Sequence, residues 1–387
     1  MEICDLYHCT GCGMCSNICP TNAIEMEDGE HGFLYPHING DKCINCGLCR
    51  KKCPANAEKQ IECTMKRVYA AWSTDKKNRQ NSTSGGIFSL LAKAVLQDGG
   101  AVIGVRWGKD FCPEHAVALD DKQAAAFRGS KYVQSNTGDI YRKAKQLLED
   151  GKEVLFAGTP CQVDALKAFL GKSYTSLFTI DLVCHGVPSY ECFKKYLDEV
   201  SNKKQIVGVN LRYKSPYWDY CNVRVDFKDG THYQKYTVDD PYFTLFNIGY
   251  SLRDSCHKCK YATVHRMGDI TLADFWGYQP SGFRMRNYNK GVSLVAVNTS
   301  KGDELFGRIK GSLNYELTTK DAAMRTNKSL SEPYDLPKER LSAFWEGYEH
   351  GEFIEQLCAK HVTSSFRLPP LLLLRRLKKR YSWILKH

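Results

Sequence analysis

No run of about 18 uninterrupted apolar residues occurs in the 387-residue sequence, so no membrane-spanning helix is expected. The opening residues, Met1, Glu2, Ile3 and Cys4, show neither a basic stretch nor an apolar run, which argues against a secretory leader. Together these absences predict a cytoplasmic protein. Walker-type and GxGxxG loops are missing as well, so neither of those phosphate-binding motifs is present. Acidic residues are absent from 366–387, where seven Lys and Arg account for most of the net charge of +11, leaving +4 for the other 365 residues. A body with so little excess charge and no aromatic–basic motif does not suggest a nucleic-acid partner. Hydrophobic residues make up 43% of the chain, enough for a globular core.

Cysteine, by contrast, is abundant, with 18 residues. In a reducing compartment clustered cysteines serve as metal ligands or redox groups rather than as disulfides. "CTGCGMCSNICP" (9–20) and "CINCGLCRKKCP" (43–54) are copies of one C-x2-C-x2-C-x3-C-P pattern, displaced by 34 residues. Structural zinc uses paired CxxC or histidines and has no need of the third close cysteine or the proline. This is the bacterial dicluster ferredoxin pattern, in which the fourth cysteine of each run ligates the other cluster. One 4Fe-4S cluster is thus expected on Cys9, Cys12, Cys15 and Cys53, and a second on Cys43, Cys46, Cys49 and Cys19. Gly11, Gly13 and Gly47 are placed to allow tight turns. Pro20 and Pro54 turn the chain away after each run. Two adjacent clusters form a single-electron wire, which implies a terminal in the rest of the chain.

From about Arg67 strands and helices alternate. Strands are expected at 67–72, 101–107, 153–158, 177–184 and 206–213. Helices are expected at 83–100, 137–150, 160–170 and 189–200. This alternation predicts an α/β body with at least part of its sheet parallel. "FAGTPCQVDAL" (156–166) and "DLVCHGVPS" (181–189) place Cys161 and Cys184 just past strand ends, where ligands sit in such sheets. With the C-x2-C pair Cys256 and Cys259 they make four, the number a third 4Fe-4S cluster needs. Buried thiols, a zinc pair or a dithiol are the competing readings. "STSGGIFSLL" (82–91) and "RGSKYVQSNTGD" (128–139) could cradle an anion at a helix start, against the plainer reading of a capped helix and a solvated turn.

The ordered strings "SGGIFSLLAKAVL", "RGSKYVQS", "GTPCQVDAL", "DLVCHGVPS", "LRDSCHKCKYA", "GDITLADFWG" and "NKGVSLVAVNT" resemble the beta-subunit family of coenzyme F420 hydrogenases and dehydrogenases, over residues 67–310. The resemblance implies FAD bound in the α/β body and electron exchange between clusters, flavin and a reducible substrate or cofactor. It implies that Cys161, Cys184, Cys256 and Cys259 ligate a cluster beside the flavin. It makes Ser84, Gly85, Gly86, Lys131 and Thr159 candidate FAD contacts, and places Asp274 and Trp276 near the site. His185, beside Cys184, is a candidate catalytic proton donor or a group that ligates or orients the cluster; a structural histidine is the alternative. Bacterial members serve other tasks as single chains, surface-polysaccharide synthesis among them.

The expected organisation is an α+β dicluster ferredoxin module (1–62), an α/β FAD-binding body with a mixed sheet in two parts (63–145 and 146–315), and a helical segment with a basic tail (316–387). Residues 338–357 should form a helix broken at Gly347 or Gly351. Beyond Pro370, Leu373, Leu374, Leu377, Tyr381 and Ile384 recur at helical spacing opposite basic residues, which suggests an interfacial helix touching the inner face of a membrane. The expected function is an FAD- and iron–sulfur-dependent oxidoreductase with a small-molecule substrate and a ferredoxin-like or flavin-type redox partner. The alternative is a relay subunit without a substrate of its own.

Overall fold

Buried apolar strands build the body. A computed structural model describes residues 2–57, 64–215, 217–280 and 289–362. In the N-terminal module, β1 (Ile24–Asp28) and β2 (Leu34–Ile38) pair antiparallel. Each cysteine run folds the same way. The chain turns through a left-handed glycine, Gly13 (φ +71°) or Gly47 (φ +69°), into a short helix, Met14–Ile18 or Leu48–Lys52. That helix carries the third cysteine of its run. The fourth cysteine, Cys19 or Cys53, follows in extended conformation. The local repeat in sequence is therefore a repeat in backbone.

The main sheet has eight strands. They are β3 (Arg67–Ser73), β4 (Ala101–Trp107), β5 (Pro113–Ala118), β6 (Val154–Gly158), β7 (Leu177–Leu182), and three that come later in the chain. Between them, β8 (Ile206–Tyr213), β9 (Asn222–Phe227) and β10 (His232–Tyr236) form a separate antiparallel sheet. The main sheet is completed by β11 (Ile270–Asp274), β12 (Ser293–Val297) and β13 (Leu313–Thr318), in the order β13-β3-β12-β11-β7-β6-β4-β5. β4, β6, β7 and β11 run parallel to one another. β12, β13 and β5 run against their neighbours, so the sheet is mixed. Helices Ile87–Gln97 and Ser300–Ile309 pack apolar faces on one side, and Ile140–Glu149 and Pro160–Leu170 on the other. Burial of Val154, Leu155 and Phe156 in β6 and of all five residues of β12 explains their largely apolar sequence.

The strand at 206–213 forms where expected, but outside the main sheet. It pairs with β9, its neighbour along the chain, rather than with a parallel strand. The strand expected to reach 184 ends at Leu182, which leaves Cys184 in the following loop. The C-terminal helical segment breaks at Gly351, which takes φ +84° between helices Lys338–Glu349 and Ile354–His361. Among the described residues no helix is long and apolar enough to cross a membrane. The basic tail at 366–387 lies outside the described residues.

The ferredoxin module and the body share one core. Cys9, Cys15, Cys49 and Cys53 lie in a buried cluster with Tyr141, Ala144, Val163 and Leu166 of the body helices. Polar staples fix the seam. Tyr141 donates its hydroxyl to the Cys12 carbonyl (2.8 Å), and Arg142 donates to the carbonyls of Asn17 (2.7 Å), Ser16 (3.1 Å) and Cys19 (3.0 Å). A Cβ at Gly11 would collide with the Gln134 amide, and one at Gly13 with the Thr137 hydroxyl. Glycine here serves the docking of the module as well as its turns. Fully buried Arg253 donates to the Cys9 carbonyl (2.6 Å), with its guanidinium 4.0 Å over the Tyr35 ring. Replacing Arg253 with Met removes the donors but keeps much of the length. We expect it to destabilise the cluster-loaded protein by about 3 kcal/mol, read as a lower urea midpoint under anaerobic conditions.

Candidate iron-sulfur and cofactor site

The carboxyl ends of the central strands gather the cysteines of the body. Cys161 lies in the first turn of the helix that follows β6. That turn is held by Thr159 and Gln162, whose backbone and side chains cap one another. The Thr159 hydroxyl lies 3.1 Å from the Cys161 sulfur, so this residue sits with the cysteines. Cys184 follows β7, the parallel neighbour of β6. Cys256 lies in a one-turn helix, Asp254–His257, and Cys259 just beyond it. The four are near enough for their charges to interact: Cys184 with Cys161 and Cys259, and Cys256 with all three others.

Two buried arginines hold the C-x2-C loop. Arg253, at its start, donates its backbone N–H to Val187 O (3.0 Å) and its side chain to the ferredoxin loop. Arg266, after its end, donates to Leu182 O (3.0 Å) and Thr263 O (3.0 Å), and pairs with buried Asp181 at 3.2 Å. The loop is thereby fixed to the end of β7. Burial pushes the Cys161 thiol up to about 11 and that of Cys184 to about 12. Four thiolates in such a place require a strongly cationic centre beside them. Among the described residues no three such side chains converge tightly enough to grip a single metal ion. A cubane makes a different demand, because its four thiolates bind four different irons at the corners of a cage.

The same region meets the ferredoxin module. Cys12 and Cys161 lie close enough for a charge on one to act on the other, so the first ferredoxin loop adjoins the body's cysteines. Cys15 interacts with Cys9, Cys12 and Cys53, which brings the four expected ligands of one cluster together. Cys4, outside both motifs, lines the same cavity and lies within hydrogen-bond reach of Cys9 and Cys53. Spacing gave no sign of it. Its only sequence signal is a cysteine five residues before the first run.

The candidate flavin residues fall in a neighbouring region. The Ser84 hydroxyl donates to Val292 O (2.7 Å), and the Gly85 N–H donates to Ser293 Oγ (2.9 Å), so both pin the loop to β12. Gly86 takes φ +84° and opens the helix Ile87–Gln97, which has no side-chain N-cap. Cations surround this loop. Lys214 donates to the carbonyls of Ser84 (2.5 Å) and Arg79 (2.7 Å). Buried Arg79 donates to Gly291 O (2.9 Å). Thr83 accepts from the N–H of Ser130 (2.8 Å), which leads into Lys131. The Lys131 ammonium donates to the carbonyls of Ala126 and Arg128, both at 3.0 Å. Burial depresses Lys131 and Lys214 to about 7 each. Neither forms an ion pair with a carboxylate among the described residues.

Asp274, at the end of β11, accepts from Arg212 (2.9 Å) and from the Trp218 indole (3.1 Å). Trp276 stacks on Trp218 at 5.0 Å and lies 4.8 Å under the Arg212 guanidinium. Arg212 also donates to the Tyr132 hydroxyl (3.0 Å), which links this pair to Lys131. Tyr132 in turn packs on Phe246 at 5.2 Å. His185 Nε2 lies 3.1 Å from the Phe246 carbonyl and donates to it. Burial lowers the His185 pKa. The expected residues thus form one contiguous region, with Thr159 on its cysteine side. Arg79, Arg212, Lys214 and Trp218 complete it, and sequence reasoning missed all four.

Comparison with known proteins identifies the family. Residues 68–141 match the N-terminal family model of the coenzyme F420 hydrogenase/dehydrogenase beta subunit, and residues 151–323 match its C-terminal family model. Residues 8–57 match a 4Fe-4S dicluster domain. No curated protein matches. Among solved structures, a chain of the F420-reducing nickel–iron hydrogenase complex from Methanosarcina barkeri, in a xenon-derivatized form, is similar with a TM-score of 0.49 and 20% identity; the match covers 76% of this chain and 96% of that one. This chain belongs to the coenzyme F420 hydrogenase/dehydrogenase beta-subunit family and carries an N-terminal 4Fe-4S dicluster domain.

Proposed function

We propose that this iron–sulfur electron-transfer protein is a flavoprotein oxidoreductase. Its electrons pass between the two ferredoxin clusters, a third 4Fe-4S cluster on Cys161, Cys184, Cys256 and Cys259, FAD, and a reducible substrate or cofactor. One observation carries the reading: Cys12 of the ferredoxin loop lies near Cys161, and the neighbouring Cys184 loop connects through His185, Phe246 and Tyr132 to Arg212 of the cationic region. The order is then Cys43–Cys46–Cys49–Cys19 outermost, Cys9–Cys12–Cys15–Cys53 in the middle, and the body's set innermost.

The residues present fit FAD. Lys131, Lys214 and Arg79 surround the uncapped start of the helix Ile87–Gln97, which suits a pyrophosphate. The stacked Trp218 and Trp276 offer an aromatic wall, and Asp274 holds Arg212 in place beside it. Clusters take one electron each whereas FAD exchanges two, so bound FAD would supply the conversion between the two kinds of carrier. His185, held by the Phe246 carbonyl, would fix the Cys184 loop. The family's name describes a subunit, which keeps the relay reading alive; substrate turnover by the purified chain alone separates the two.

Anaerobic reconstitution should give about twelve irons and one FAD per chain. Cys161→Ser or Cys256→Ser should cost about four irons and leave about eight, while Cys4→Ser should keep all twelve. About eight irons in the unaltered protein, with no flavin, would sink the proposal.

FAD affinity should fall as pH rises above about 7, because both depressed lysines must be protonated to meet the phosphates. Without FAD the sign reverses for stability. The folded lysines lose their protons near 7 and unfolded ones near 10.5, so stability should rise with pH across that window. Lys214→Ala should weaken FAD binding by roughly ten- to a hundredfold at pH 6.5 and by less at pH 8.5, read by quenching of flavin fluorescence.

A further inference from the structure

The eight ferredoxin cysteines are not equally covered. Cys9, Cys15, Cys49 and Cys53 are buried, Cys12, Cys19 and Cys43 are partly covered, and Cys46 alone is exposed. Two residues before it, Ile44 is 64% exposed, an unusual place for a large apolar side chain on a loop of ligands. Around them stand Lys42, Arg50 and Lys51, all exposed, and half-buried Lys52. None of the four belongs to an ion pair among the described residues. Asp41 is the one acid between 39 and 57. Lys52 reaches beside Gly171, which brings exposed Lys172 to the same rim.

A groove next to Cys19 extends the face. It is lined by Arg142, Lys145, Gln146 and Glu149, the last 3.7 Å from Lys145. The other ligand set is covered, because Cys12 lies near Cys161 and its loop is stapled by Tyr141 and Arg253. Of the two ligand sets, the one with Cys46 is therefore the one open to solvent, and the surface beside it is basic with an exposed apolar side chain.

We propose that the face around Cys46 and Ile44 docks an acidic protein that carries single electrons. Ile44 would make the dry central contact, and Lys42, Arg50, Lys51 and Lys172 would steer the partner by charge. The step is one electron in either direction: the carrier is oxidised as the outer cluster is reduced, or the reverse, with no proton or bond exchanged. A short basic stretch beside an exposed ligand and an exposed apolar side chain suits a small acidic protein better than an extended polyanion. The inference rests on the dicluster domain and on the cluster order proposed above, but it requires no flavin in the body.

The test uses the full cluster-loaded chain and a reduced acidic flavodoxin, whose one-electron oxidation gives a long-wavelength band of its own. Bleaching of the iron–sulfur absorbance is followed by stopped flow. The rate should fall steeply between low and high salt. Arg50→Glu/Lys51→Glu should slow it about tenfold or more at low salt and flatten its salt dependence. Reduction by dithionite, and iron content, should not change. Should the double variant lose iron, Lys51→Gln and the salt series on the unaltered chain give the same reading. A rate independent of salt and equal in the variants would overturn the proposal. A shift in the sedimentation of the variant chain alone, with flavodoxin rates unchanged, would assign the face to a second copy and overturn it as well. Because only iron–sulfur absorbance is read, absence of FAD would leave the result interpretable.

Discussion

Arg253 ties the structure together. Its guanidinium has no exposed surface. The cost of burying it is offset by the Cys9 carbonyl, by the face of Tyr35 and by the Cys9 sulfur. Cys9 is held down to about 6 by a hydrogen bond from Cys4 and by the charge of Arg253. One side chain therefore joins the backbone of the ferredoxin loop to the start of the body's C-x2-C loop, Cys256-His257-Lys258-Cys259. If it moved, the distance between two sets of sulfurs would move with it. The ferredoxin module is not hung on the body by a linker alone, since its loops are built into the body's core.

The electrostatics of the region divide along the carboxyl edge of the sheet. On one side are four half-buried thiols whose charged forms desolvation disfavours. On the other are Lys131 and Lys214, whose charged forms burial also disfavours. Both halves are costly alone, and under the proposed function each would be relieved by a partner of opposite sign: iron for the thiolates, an anion for the ammonium groups. Arg266 and Asp181, buried side by side behind the cysteines, already satisfy each other and serve as the fixed floor. Binding capacity and strain are in this sense the same feature, and both lie where parallel strands end.

What the sequence made legible was local. Ligand spacing along one loop identifies a cluster without any long-range information, because three thiolates of the same turn reach one cubane. Strand–helix alternation likewise follows from apolar runs and from caps such as Thr159–Gln162. The antiparallel sheet β8–β10 was not legible. Its first strand has the same apolar look as a main-sheet strand, and only pairing with β9 decides otherwise. Arg212, Arg253, Lys214 and Trp218 were invisible for a related reason. A buried cation is defined by the carbonyls and rings around it, which come from distant segments: Lys214 meets Arg79 and Ser84, and Arg212 meets Tyr132 and Asp274. Ser84 and Gly85 were visible as a helix start, but their bonds to Val292 and Ser293, at the start of β12, were not.

Folding and loading must therefore be coupled. The module's own strands, β1 and β2, are five residues each, and its helices are single turns, so it has little core apart from the cysteines and the apolar side chains around them. Part of that core belongs to the body, since Tyr141 and Leu166 pack with Cys9 and Cys15. Loss of a cluster on Cys9, Cys12, Cys15 and Cys53 would loosen Tyr141 and Arg142, and with them the helix Ile140–Glu149 that backs β6. The carboxyl end of β6 positions Cys161. Damage to one cluster should thus reach the next through a short chain of packed groups, by displacement of the ligand-bearing strand end as well as by loss of an electron-transfer step.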